Sequence, residues 1–336
     1  MNSDTAARID EAEKPGFGPP AADRLRFLKQ HGRQIGLPLA VLGLIVGFAS
    51  LSPVFLSVPN FRNVGLQAAA LAAVSFGQTL VILTAGLDLS VGSIVALVSV
   101  VTALSMLQFG ILGGLLTGLL VGILAGLVNG LIITRLRVFP FIATLAMMSF
   151  LSGLALNLSG GTPVIGLSSA YTDVALQRVF GVPFPVIVSL ALLICTALIL
   201  RYLRIGRNIY AIGGNQEAAR LSGLRVDFVK VAAYMYSGFC SAIAALILTA
   251  RVASGQPTLG ASLALESVAA VVLGGVSLFG GRGSVIGVAF GVAFVSILSN
   301  GLNLLNVSSY TQMMVIGVAL AGAVTIDQAL VRRGSA

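Results

Sequence analysis

Carboxylates are scarce enough in this chain to be weighed one at a time: there are 11, and five belong to the N-terminal tail. Asp88 stands between two apolar runs in Leu87-Asp88-Leu89-Ser90-Val91-Gly92-Ser93. A charge at the centre of a bilayer costs at least about 2.5–3.5 kcal/mol, so such a residue needs a reason. Two are open: with Gly86 making a turn, Asp88 caps the following helix, aided by the hydroxyls of Ser90 and Ser93, or the three take part in solute passage or gating. Glu266, near one end of a short apolar run, has no capping role; it pairs with Arg251 or lines a wet cavity. Asp327, close to the end of the last apolar run, can snorkel or meet Arg332. Covalent catalysis has little support. The single histidine, His31, follows the basic amphipathic stretch Arg24–Lys29, which reads as an anchor to anionic lipid. A Gly-x-x-x-x-Gly-Lys-Ser/Thr phosphate loop is missing from the sequence, so any ATP consumed belongs on another chain. Cys195 and Cys240 lie in apolar runs, where cysteine acts as a small hydrophobe, and neither a disulfide framework nor a metal site is expected. The expectation is therefore a protein with no catalytic residues and no bound cofactor or metal.

A second stretch reads as a docking device. Asn215-Gln216-Glu217-Ala218-Ala219-Arg220-Leu221-Ser222-Gly223-Leu224 has an N-cap residue, an acidic residue near the helix start, and a glycine placed to end the helix in the left-handed conformation. A helix of barely three turns is marginal alone. With Ala218, Ala219 and Leu221 available for contact, it needs a partner surface.

The elements that would hold these residues follow from composition. Hydrophobic residues make up 57% of the 336 and charged residues 9%, against about 25% charged in soluble domains. The mean hydropathy is +1.01. There is too little polar material to coat a water-exposed surface. About 20 apolar residues cross a hydrocarbon core of roughly 30 Å, and ten runs qualify: 37–56, 64–84, 89–107, 111–134, 139–158, 184–203, 231–250, 265–279, 285–305 and 310–327. The eighth is short, about 21 Å of helix after Glu266, and reads as a partial or broken span. Because residues 1–20 are polar, the first run reads as an uncleaved helix. With the N-terminus cytoplasmic, only Arg62, Arg178 and Arg251 of the 20 basic residues fall outside. That asymmetry is the one that orients membrane proteins, and it places both termini in the cytoplasm. It also accounts for the net charge of +9, so nucleic-acid binding loses its main support. The expected organisation is a polar and basic tail over 1–36, a transmembrane domain over 37–330 with an external loop at 159–183 and a cytoplasmic loop at 201–230, and a short tail over 331–336.

Glycine is abundant, 40 residues, and partly periodic. Gly114, Gly118, Gly122, Gly126 and Gly130 recur every four residues and would line one narrow helix stripe where another backbone can lie close. Gly283, Gly287 and Gly291 form a shorter run at the start of the ninth span. Asn129 beside the first stripe can hydrogen-bond across helices, a substrate role being the second reading.

Taken in order, the segments Ile82–Ser93, Phe139–Leu145, Gly214–Gly223, Ala264–Gly275, Gly280–Ser284 and Asn300–Leu305 resemble the permease subunits of bacterial ATP-binding-cassette importers for ribose, xylose and related monosaccharides. The resemblance runs from about Val54 to Asp327. It implies an all-α polytopic permease with a cobalamin-importer-like, type II core of about ten helices in the bacterial inner membrane. It also implies a coupling helix around Glu217-Ala218-Ala219 with Gly223, seated in a groove of an ATPase subunit with two fused nucleotide-binding domains that carry ATP and Mg2+. A second permease copy, identical or paralogous, and a periplasmic sugar-binding protein touching 159–183 complete the implied assembly. Val276 stands where many such permeases have a hydroxyl residue, and the first 35 residues match nothing specific. Two other readings stay open: the related permease of a branched-chain amino acid importer, and an ATP-independent carrier or channel. The latter usually needs paired ionisable groups inside the bundle, for which only Asp88 and Glu266 are available.

Overall fold

A computed structural model describes residues 21–334. The tail over 1–20 and the last two residues lie outside the described residues, as do the side chains of the basic stretch Arg24–Lys29 and the Asp327–Arg332 contact. The chain divides into two compact units, Met1–Gly36 and Leu37–Ala336. In the first, the described backbone is helical.

Twelve α-helices are described: α1 (Ala21–Leu51), α2 (Val58–Leu83), α3 (Val91–Arg135), α4 (Pro140–Ser159), α5 (Ser169–Thr172), α6 (Phe184–Tyr202), α7 (Arg204–Gly214), α8 (Gln216–Leu221), α9 (Val226–Val252), α10 (Leu263–Leu273), α11 (Val285–Leu304) and α12 (Ser309–Gly334). Six of them, α2, α3, α4, α6, α9 and α11, are long and apolar enough to cross a membrane; 36–51, α10 and 309–322 are shorter apolar stretches. Helix starts carry their sequence signals. Ser57 caps α2 by accepting the Asn60 N–H, and Pro140 opens α4, where its missing N–H costs nothing.

At 1.5 Å per residue, α3 would run about 68 Å, twice a bilayer core. Gly110 breaks it, with φ 72° and ψ −177°, a conformation that essentially only glycine adopts. The chain turns back there: Gly114 abuts Met106 and the Thr102 carbonyl, and Gly118 abuts Thr102 and Val98. Lower down, Gly122 meets Gly238 and Ala242, Gly126 meets Tyr234 and Met235, and Gly130 meets Val231, all on α9. The stripe thus serves two neighbours in succession. Two residues away along the helix, on the opposite side, Leu112, Leu116, Leu120 and Leu124 are exposed. In water that row would be an aggregation hazard; in lipid it is ordinary.

The core lies around α2, whose length from Ala69 to Leu83 is buried on all sides, and around α9, which reaches it closely because Gly77 leaves room for Cys240 and the Ser237 backbone. The third close-packed pair joins α10 and α11, where Gly287 and Gly291 meet Gly274 and Ala270. Gly283 lies ahead of α11 in the preceding loop, with φ 149°.

Several expectations are corrected here. The left-handed residue before Asp88 is Ala85, with φ 58°, and not Gly86; glycine is required at 86 because a Cβ would strike the Tyr234 hydroxyl. The stretch 201–230 is mostly helical, holding α7 and α8, and α8 has six residues where nearly three turns were expected. The loop 159–183 holds secondary structure of its own. It carries α5, a 3₁₀ turn over Asp173–Ala175, and a small antiparallel hairpin, β1 (Arg178–Val179) with β2 (Val182–Pro183), turned by Phe180 and Gly181 at positive φ. Among the described residues the molecule is therefore helical with one minor β hairpin.

Candidate functional site

Asp88 is completely buried at the start of α3. Its Oδ1 accepts from the Ser90 backbone N–H at 3.0 Å and from the Ser90 hydroxyl at 2.6 Å, and its Oδ2 accepts from the Ser237 hydroxyl of α9 at 3.0 Å. Ser90 Oγ in turn accepts from the Asn129 amide at 2.8 Å. The N-cap of α3 is Ser90, with no side-chain cap bond, so Asp88 is not the cap expected of it but a hub joining both halves of α3 to α9. Ser93, also buried, donates to the Ser90 carbonyl and stays within its own helix. The connection Thr84–Leu89 is held from outside as well: the hydroxyls of Thr144 and Tyr234 both donate to the Leu87 carbonyl, each at 3.3 Å. Such a set of satisfied donors around one carboxylate rigidifies a junction.

Helix α8 lies against this same end of the bundle. Asn215 caps α8, its side chain accepting the Ala218 N–H at 2.9 Å, and Gly223 ends the helix at φ 82°. Glu217, Ala218 and Leu221, the last 82% exposed, face outward; Ala219 is turned into the protein, contrary to its expected availability. Arg220 and Asp227 approach to 3.9 Å, an exposed pair that contributes little. The anchoring is done by α7, an amphipathic helix that sequence reasoning missed. Its Gly213 sits directly against the Leu83 carbonyl and Gly281, and the Gly281 N–H donates to the same carbonyl at 3.0 Å. Tyr210 donates to the Gly283 carbonyl at 3.0 Å, and burial raises the pKa of its phenol, so the donor proton stays on. Lys230 on α9 donates to the Gln216 side chain. The end of α2, the α10–α11 loop and α9 thus all meet the α7–α8 unit. The sequence signal was available in the glycines 213, 280 and 281, but their partners were not.

Glu266 is elsewhere. It lines a cavity of about 340 Å³ bounded by α2, α9, α10, α11 and α12, together with Arg251. Among the described residues no ion pair joins the two charges. Measured along α2, from the cavity-lining Leu71 to Leu83 beside the Asp88 junction, the separation is about 18 Å. The residues grouped from sequence as a passage or gate therefore form two places: Asp88, Ser90 and Ser93 at one end, Glu266 towards the other. Groups of His, Cys, Asp and Glu suited to a metal ion are absent among the described residues.

Long apolar helices with glycine-lined contacts and an exposed leucine row define a membrane-embedded protein. The family model described as the permease component of branched-chain amino acid transport systems matches residues 60–324. The chain is 43% identical over 300 residues to the ribose import permease protein RbsC of Bacillus subtilis (strain 168), spanning 88% of this chain and 93% of that one. It is 36% identical over 293 residues to the D-allose transport system permease protein AlsC of Escherichia coli (strain K12), spanning 86% and 90%. The L-arabinose transport system permease protein AraH of the same organism is 37% identical over 296 residues, spanning 88% and 90%. No solved structure matches the chain. The chain belongs to this permease family.

Proposed function

We propose that this chain is the membrane-spanning permease subunit of an ATP-driven monosaccharide importer, working as a pair of permease copies with an ATPase that carries two fused nucleotide-binding domains. The observation that carries the mechanism is the clamp of α7–α8 onto the Leu83 carbonyl, Gly281 and Gly283. A push on the exposed face of α8 reaches the end of α2 and the α10–α11 loop through the close backbone contacts of Gly213, and α9 through the Lys230–Gln216 bond. The sugar assignment is supported by relatives named for ribose, allose and arabinose. In this reading the membrane is the bacterial inner membrane, the ten apolar runs all contribute to crossing it, both termini are cytoplasmic, and 159–183 receives a periplasmic sugar-binding protein. ATP and Mg2+ stay on the ATPase, and the permease supplies the path and the two-state bundle.

The test is uptake by proteoliposomes holding the permease, its ATPase and the binding protein. ATP-dependent import of labelled ribose, allose or arabinose is expected, with none of leucine. Import of leucine instead would assign the amino acid reading, and sugar flux without the ATPase would assign a self-sufficient carrier. Glu217→Arg is expected to weaken ATPase docking and lower transport at least tenfold; unchanged assembly and transport would remove α8 from the coupling role.

A further inference from the structure

We infer that the Glu266–Arg251 cavity is a binding station for one monosaccharide on its way through the bundle, an assignment that rests on the sugar-importer reading. Three observations meet there. The cavity, about 340 Å³, falls in the size range of small-molecule sites. It is lined by one carboxylate and one guanidinium that form no ion pair with each other among the described residues; Glu266 is half-buried on an apolar helix, where an uncompensated charge is costly, and Arg251 stands exposed at the outer end of α9. Ser296 also lines it, is only 4% exposed, and its hydroxyl has no hydrogen-bond partner. A buried unsatisfied hydroxyl and two unpaired opposite charges around one space are groups left for something that enters.

The chemistry of the lining selects the occupant. A simple anion would face Glu266 and a simple cation would face Arg251. A neutral polyol satisfies both, donating hydroxyls to the carboxylate and accepting from the guanidinium. A zwitterionic amino acid would also match the two charges. The remaining polar groups decide against it: Gln67, Ser262, Ser296, Ser299, Ser309 and Gln312 surround the pair, more hydroxyl and amide partners than a branched aliphatic side chain can use. Gln312 already donates to the Val307 carbonyl at 2.9 Å, which leaves its amide oxygen as an acceptor. Position supports the same role. The cavity is bounded by the end of α9, the start of α10 and the start of α12, the ends that the basic-residue distribution places outside. A solute released by an external binding protein would meet this station before the Asp88 junction.

The experiment uses the full complex in proteoliposomes and compares uptake of labelled D-ribose with that of 2-deoxy-D-ribose, the same binding protein being used throughout. Any change in the ratio then comes from the permease. Glu266→Gln is expected to lower ribose uptake about tenfold or more and to shrink the preference for ribose over the deoxy sugar about tenfold, the worth of one hydrogen bond, while ATPase activity is kept. Ser296→Ala, a smaller change that keeps all charges, is expected to move the ratio in the same direction and serves if Glu266→Gln assembles poorly. Unchanged ratios in both variants would overturn the station, as would an equal loss for both sugars accompanied by lost ATPase activity, which marks a structural role. A wild-type complex that imports leucine and no sugar would instead defeat the functional reading on which the station rests.

Discussion

Asp88 shows how a single residue can be legible in kind and illegible in reach. Its place between apolar runs, two residues before a serine, marks it as a helix-start carboxylate, yet the N-cap of α3 is Ser90 without a side-chain cap bond, and the Asp88 bond to the Ser90 N–H forms a turn just ahead of the helix. Ser237, 149 positions away, supplies a donor that no local pattern announces. Asp88→Ala would strand both serine hydroxyls and a backbone N–H in a buried junction, an expected loss on the order of 3 kcal/mol. Ser237→Ala removes one donor and is expected to cost about 1 kcal/mol. Thermal unfolding of the detergent-solubilised protein would register both, with the aspartate variant the more damaged; equal, negligible shifts would mean the network contributes no stability. Glu266 was open between an ion pair and a wet cavity, and its surroundings decided for the cavity, because five helices converge on a space whose size depends on all of them.

Among the elements, α7 was missed and α8 overestimated for the same reason. Short helices at a bundle end are held by contacts beyond themselves, so cap signals locate them without setting their length. Asn215 and Gly223 were readable as caps, yet α8 is six residues long and depends on α7 for its anchorage. Gly213→Ala puts a Cβ against the Leu83 carbonyl and Gly281, neither of which can swing aside as a side chain would. The expected outcome is a complex that still assembles and hydrolyses ATP but imports sugar at least tenfold more slowly per ATP. A normal transport-to-ATP ratio would show that force passes by another route. The glycine stripe on α3 was visible as a period of four, but the change of partner from its own first half to α9 was not. It depends on the reversal at Gly110, and a glycine signals permission to turn without saying that a turn occurs.

For the whole molecule, orientation is the testable inheritance of charge placement. With Cys195 and Cys240 first replaced by alanine, a cysteine at Phe180, a fully exposed hairpin tip, is expected to react with a membrane-impermeant maleimide in intact cells. One at Leu221 is expected to react only after permeabilisation. The reverse pattern would invert the threading. Composition and hydrophobic run length sufficed for a membrane protein and for the places of its apolar segments, because the bilayer imposes one length and one solvent on every span, and these are written locally in the chain. Recurrent motifs carried the family for the same reason of locality. Which residues share a space is different. The clamp at Gly213, the hub at Asp88 and the cavity around Glu266 each depend on residues scores of positions apart being brought within a few ångströms, and that proximity is set by the simultaneous packing of several helices.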